Sequence, residues 1–143
     1  MAKVTAINIS EKKGVIKKPI EKGRFVVGFG IEGDAHGGDW HRQVSLLGQE
    51  SIDKMTEMGA KGLTEGVFAE NITTEGIDLY DLPIGTKLQM GEVVLEVTQI
   101  GKSCHKGCEI LKQVGDCIMP REGIFTTVQE GGTIKAGETI KIL

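Results

Sequence analysis

Glycine recurs 21 times in 143 residues, against three prolines, and mostly stands alone between short runs rich in Val, Ile, Leu and Thr. That punctuation limits the fold more than any other feature of the chain. A lone glycine between β-rich runs supplies the corner of a tight turn or a bulge. It also keeps the connections short, whereas a parallel crossover needs roughly a dozen residues or more. The expected fold is mainly β with α: about eight short strands and two short helices, linked locally into a closed or nearly closed β-barrel. The length suits one domain over residues 1–143.

Residues 3–10 alternate, which predicts a strand with Thr5, Ile7 and Ile9 inward and Val4, Ala6 and Asn8 opposite. After a turn at Glu11-Lys12-Lys13-Gly14, residues 15–20 read as an edge-like strand. Its lysines, Lys17 and Lys18, are expected in solvent, where they discourage edge pairing. Residues 24–27 read as extended and 44–47 as a short buried strand. Over 49–58, Ile52, Met55 and Met58 recur at helical spacing, Glu50 and Lys54 are placed for an i,i+4 ion pair, and Gly59 can cap the end. Residues 86–90 and 92–100 predict a hairpin about Gly91. A second helix is expected over 107–114, then strands over 123–129 and 139–142, with a turn at Gly131-Gly132-Thr133.

The net charge of −3 and the scarcity of aromatic residues exclude the electrostatic and stacking signatures of a nucleic-acid binder. No apolar run approaches the roughly 18 residues of a membrane helix. The first residues, Met-Ala-Lys-Val-Thr-Ala-Ile-Asn-Ile, read as a strand of the mature fold rather than a signal peptide. Three cysteines are an odd number in a chain that is not disulfide-dense, which points to a reducing cytoplasm.

Two stretches concentrate chemistry. Residues 28–42 hold five glycines, two histidines, two aspartates and the single tryptophan, a pattern of a functional loop rather than a helix or strand core. Residues 101–110, Gly-Lys-Ser-Cys-His-Lys-Gly-Cys-Glu-Ile, follow the strand-like run 92–100. They place Cys104 beside His105, between Lys102 and Lys106, with Cys108 four residues on. A thiol reacts as thiolate, and cationic neighbours lower its pKa. A zinc site of Cys104, His105, Cys108 and Cys117 is an alternative, although it lacks the paired C-x2-C spacing. Gly101-Lys102-Ser103 is not a P-loop, because Glu96 stands where the upstream glycine belongs. No Gly-x-Ser-x-Gly or His-Glu-x-x-His motif is present.

Four ordered blocks carry a family resemblance. They are Gly33-Asp34-Ala35-His36-Gly37-Gly38 with Arg42-Gln43-Val44-Ser45-Leu46; Gly66-Val67-Phe68-Ala69-Glu70-Asn71-Ile72-Thr73-Thr74-Glu75-Gly76; Leu82-Pro83-Ile84-Gly85-Thr86 followed by Leu95-Glu96-Val97-Thr98; and Cys104 just after that strand. With these blocks the chain resembles a stand-alone MOSC domain, the module named for the C-terminal part of molybdenum cofactor sulfurase. Cys104-His105-x-x-Cys108, with Met119-Pro120-Arg121-Glu122-Gly123-Ile124-Phe125 downstream, resembles the small bacterial subgroup of single domains.

The resemblance implies a β-barrel-like fold and a functional cysteine at Cys104. In the sulfurase branch that cysteine carries persulfide sulfur, received from a pyridoxal-phosphate-dependent cysteine desulfurase, toward a molybdenum–pterin centre. On that reading the chain is a sulfur carrier or sulfurtransferase, with His105 beside the thiol and Cys108 resolving or relaying sulfur. Asp34, His36, Arg42, Asn71, Lys102 and Arg121 would contact molybdopterin. The sequence lacks a desulfurase domain, so pyridoxal phosphate enters only through the partner. The acceptor would be a molybdoenzyme or a protein of cofactor biosynthesis. Two other readings stay open: a molybdenum-cofactor-binding protein or small reductase with Cys104 as the metal ligand, and a non-enzymatic, zinc-stabilised interaction module.

Overall fold

A computed structural model of the protein describes residues 2–10, 17–35, 37–57, 70–101 and 122–143. In chain order its strands are β1 (Lys3–Ile9), β2 (Lys18–Ile20), β3 (Lys22–Val26), β4 (Gly30–Ile31) and β5 (Val44–Gly48), then helix α1 (Gln49–Glu57). There follow β6 (Ile72–Glu75), a 3-10 turn (Leu79–Asp81), β7 (Lys87–Met90), β8 (Val93–Ile100), β9 (Ile124–Glu130), β10 (Gly132–Lys135) and β11 (Ile140–Ile142). The expected eight strands are eleven among the described residues, because several runs are broken into pieces of two to four residues.

Eight strands form one sheet in the order β11-β7-β8-β9-β5-β6-β1-β2. Every pairing in it is antiparallel except β5 with β6. The parallel pair β5 and β6 is joined by a link that begins with α1 and is long enough for a crossover. The sheet curls until β11 approaches the start of β1. Lys3 bridges to Thr139, Val4 N–H donates to the Glu138 carbonyl at 2.8 Å, and Ile140 N–H donates to the Ala2 carbonyl at 3.0 Å. This contact is too short to count as a ladder, so the sheet is barrel-like rather than closed.

A second sheet, β10-β3-β4, lies over the first. Its Phe25, Ile31 and Ile134 belong to the same buried cluster as Val4, Leu46, Ile72, Leu95 and Val97. Each such side chain contributes roughly 1.5–3 kcal/mol by leaving water. The cluster therefore holds the small sheet, and the loop it carries, against the large one.

Local chemistry explains most elements. Gly91, at φ 62°, makes the corner of the β7–β8 hairpin, as its sequence predicts. Helix α1 buries Ile52 and Met55, one turn apart, and carries Glu50 in its first turn and Lys54 in its last, complementing the helix dipole. Met58 lies outside the described residues, as do Gly59, the 11–14 turn and the 107–114 helix. No helix among the described residues is long and apolar enough to cross a membrane.

Four local expectations need correction. The inward residues of β1 are Val4, Ala6, Ile7 and Asn8, while Thr5 and Ile9 are only half-buried. A register shift between Val4 and Ala6 makes Thr5 a bulge residue, which resets the alternation. Glu50 and Lys54 do not pair with each other. Glu50 accepts from Gly76 N–H at 2.7 Å, and Lys54 reaches both carboxylate oxygens of Glu122 at 3.0 Å. The turn at 131–133 is compressed, and β10 already begins at Gly132. Finally, Lys17 is in the interior rather than in solvent.

Candidate functional site

The site is built where β8 ends. A register shift between Val97 and Gln99 makes Thr98 an extra residue opposite β9. Such a bulge re-aims the side chains around it. The Thr98 hydroxyl donates to the His41 carbonyl, and the Gln99 carboxamide oxygen lies 2.8 Å from His41 Nε2. The end of the 28–42 loop is thereby fastened to the end of β8.

Gly101 closes the described part of this edge. Its φ of 70° suits glycine, its N–H donates to the Gly123 carbonyl at 2.6 Å, and its carbonyl accepts from Gln99 Nε2 at 2.7 Å. Cys104 follows by three residues, so covalent geometry alone keeps the two α-carbons within about 11 Å. Lys102, Cys104, His105, Cys108, Cys117 and Arg121 all lie outside the described residues.

The 28–42 loop is seated by three devices. Gly30, at φ 124°, brings its α-carbon so close to Gln43 that an added Cβ would lie 2.6 Å from the Gln43 carbonyl oxygen. Gly30→Ala is therefore expected to lower stability by about 2–4 kcal/mol, from positive φ and overpacking together. Chemical denaturation would measure it, and a loss below about 1 kcal/mol would contradict this seating. Second, Ala35 N–H donates to the Ser10 carbonyl at 2.8 Å and Gly38 N–H to the Phe29 carbonyl at 2.7 Å. Third, the Asp34 carboxylate meets the Lys17 ammonium at 2.6 Å and accepts from Ser10 N–H at 3.1 Å, with the two charged side chains 0% and 1% exposed.

Arg42 ends the loop half-buried. Its guanidinium sits 4.6 Å from the Trp40 ring centre and 5.4 Å from that of Phe125. Both are cation–π distances. Its Nε is buried with no hydrogen-bond partner among the described residues. A held cation with an unmet donor is suited to an anionic oxygen.

Asn71 stands deeper. Its Oδ1 accepts from Ser45 N–H at 3.0 Å, and its Nδ2 donates to the Asn8 carbonyl at 3.1 Å. It ties β5, β6 and β1 together. Beside it, Glu70 is fully buried and accepts from the Thr73 hydroxyl at 2.9 Å. Asp34 and Asn71, both expected among the cofactor contacts, thus face interior partners in this structure. Arg42 is the described candidate on the β8 edge, and His36 lies outside the described residues.

Glu122, where the described chain resumes, is held by α1. Glu122 accepts from the Ser51 hydroxyl at 2.6 Å and from Lys54, both on α1. The hydrogen bond to Glu122, aided by its charge, raises the Lys54 ammonium above its ordinary range. No group of three or more His, Cys, Asp or Glu side chains among the described residues is placed to hold a metal, and all three cysteines lie outside them.

Sequence reasoning missed Lys17, Gln99, Thr98 and Phe125. The first is hidden in a lysine-rich stretch that looks solvated, and Phe125 gives no local signal. Thr98 and Gln99 close a run that alternates normally, so the bulge that turns them is visible only in the register with β9.

Comparison with known proteins gives a family and a fold. A family model described as MOSC domain matches residues 32–141. Among solved structures, the chain is similar to the YuaD protein from Bacillus subtilis, with TM-score 0.81, 19% identity, and coverage of 99% of this chain and 96% of that one. It is also similar to YiiM from Geobacillus stearothermophilus, with TM-score 0.77, 18% identity, and coverage of 100% and 75%. For YiiM from Escherichia coli the TM-score is 0.70, identity 14%, and coverage 99% and 69%. A search of curated proteins returned no sequence match.

Proposed function

The chain belongs to the MOSC domain family, and on that premise we propose that it is a sulfur carrier of molybdenum-cofactor chemistry, with Cys104 as the atom-bearing residue. One observation supports this reading most. The chain leaves β8 for Cys104 from the same edge on which Arg42 lies against the Trp40 and Phe125 rings, its Nε without a hydrogen-bond partner among the described residues. A thiol and an anion-binding cation are what a persulfide carrier for a phosphorylated pterin requires.

Arg42, a cation held against two aromatic rings, suits the phosphate of such a cofactor. Arg42 would hold the phosphate of molybdopterin, with His36, Lys102 and Arg121 as further contacts. The bound cofactor supplies a molybdenum atom that accepts a sulfur ligand. The chain's own step is thiol exchange. Cys104 thiolate attacks the outer sulfur of the desulfurase's cysteine persulfide; an S–S bond forms on Cys104 as the old one breaks, and the partner's cysteine leaves as thiolate. Cys108 thiolate then attacks Cys104 Sγ, closing a disulfide and releasing hydrosulfide to the acceptor. A thiol reductant resets the pair.

The test is incubation with a pyridoxal-phosphate-dependent cysteine desulfurase and cysteine, followed by mass spectrometry. The Cys104 peptide is expected to gain one sulfur atom, and a folded Cys104→Ser variant is expected to gain none there. Absence of the adduct from the unsubstituted protein would overturn the reading. Molybdenum and pterin retained at purification, with no adduct, would assign Cys104 as a metal ligand instead.

A further inference from the structure

The Gln99 side chain joins His41, at the end of the 28–42 loop, to Gly101, where the described part of this edge ends, and its orientation can be deduced. A backbone carbonyl only accepts hydrogen bonds, so the group 2.7 Å from the Gly101 oxygen must be the NH2 of the carboxamide. Its oxygen therefore faces His41, 2.8 Å away. That oxygen can only accept, so His41 Nε2 carries the proton in this contact. Neutral imidazole with its hydrogen on Nε2 and imidazolium both satisfy it.

The bridge spans 58 residues of sequence between positions 41 and 99. At one end is His41, next to Arg42 and held a second time through its carbonyl by Thr98. At the other is Gly101, whose N–H is already fixed on Gly123. Both polar faces of the carboxamide are used. Leucine would supply neither contact. Glutamate would keep the His41 contact, lose the donor, and set a negative oxygen against the Gly101 carbonyl. Asparagine is a methylene too short.

We propose that Gln99 is a positioning residue: a two-ended strut that fixes the root of the Cys104 segment relative to the loop carrying Arg42. Its importance for sulfur transfer rests on the reading of Cys104 given above, but the strut itself does not. Gln99 acts through Gly101 and touches no reacting atom in the described structure.

The experiment measures the alkylation rate of Cys104 by iodoacetamide, read on its peptide, in the full chain and in His41→Phe, Gln99→Leu, the double variant and His41→Gln. Thermal melting confirms that each is folded. Each of the first two is expected to change the rate by about three- to tenfold, in the same direction, because each breaks the strut. The double variant should change it no more than either alone, since a strut can be broken only once. Gln at position 41 can present an amide N–H where Nε2 stood, so His41→Gln should stay near the unsubstituted rate. Single-variant rates equal to the unsubstituted protein, or two effects that multiply, would overturn the strut. Persulfide formation on Cys104 separates the two ideas. An adduct with no Gln99 dependence of alkylation removes the strut alone. Gln99 and His41 coupling without any adduct removes the sulfur-carrier reading alone.

Discussion

Replacing Asp34 with alanine is expected to destabilise the protein by about 3–5 kcal/mol, read from urea or guanidinium unfolding. The carboxylate lies 2.6 Å from the Lys17 ammonium, with both side chains out of contact with water. Removing it leaves a positive charge buried without that counter-charge, and the Ser10 N–H without its acceptor. Asp34→Asn should fall in between, because it keeps an acceptor for Ser10 while losing the charge. The paired replacement Lys17→Met with Asp34→Leu is expected to recover much of the loss, since two apolar side chains incur no desolvation penalty. An Asp34→Ala loss below about 1 kcal/mol would show that the pair is solvated and that the 28–42 loop is held by other means. The same variant should loosen the site, because the pair joins residue 17, at the entry to β2, to the loop that ends in Arg42.

That pair also marks the boundary of what could be read from the sequence. The hairpin about Gly91, the helix over Ile52 and Met55 and the buried strand at 44–47 depend on local period and turn chemistry, which a sequence displays directly. The β-rich, barrel-like architecture follows from the glycine punctuation for the same reason. Lys17 and Asp34 meet across 17 residues, and nothing in either neighbourhood announces it. The i,i+4 spacing of Glu50 and Lys54 offered a contact, but the Gly76 amide and Glu122 offered each partner a competing one. In β1 the alternation was real, and the bulge at Thr5 reset its phase. The glycine- and histidine-rich composition of 28–42 pointed to the loop that the structure fastens to the end of β8, and Arg42 was named within it. Gln99 was not, because its two contacts depend on how far apart the fold sets residues 41 and 101.

Asn71 separates a binding role from a structural one. If it contacted a cofactor directly, alanine in its place would weaken binding and leave stability nearly unchanged. The structure predicts the opposite. Its carboxamide accepts from the Ser45 N–H, lies 3.2 Å from the Ser45 hydroxyl, and donates to the Asn8 carbonyl. Its backbone N–H donates to the Ser45 carbonyl, and its carbonyl accepts from the Asn8 N–H. Asn71 therefore stitches β5 to β1 at the point where β6 begins, and the partners of its side chain are buried. Alanine would remove the acceptor for Ser45 and the donor for Asn8, each a buried group losing its hydrogen bond. The expected loss is about 2–5 kcal/mol by chemical denaturation. Asn71→Asp should be no better. It keeps an acceptor for Ser45 but turns a carboxylate toward the Asn8 carbonyl in a setting that excludes water. Below its unfolding transition, the Asn71→Ala protein should still acquire persulfide on Cys104 to the unsubstituted extent. A variant of native stability with weakened binding of the pterin cofactor would assign Asn71 to the ligand-contacting set and place the cofactor deeper than the β8 edge.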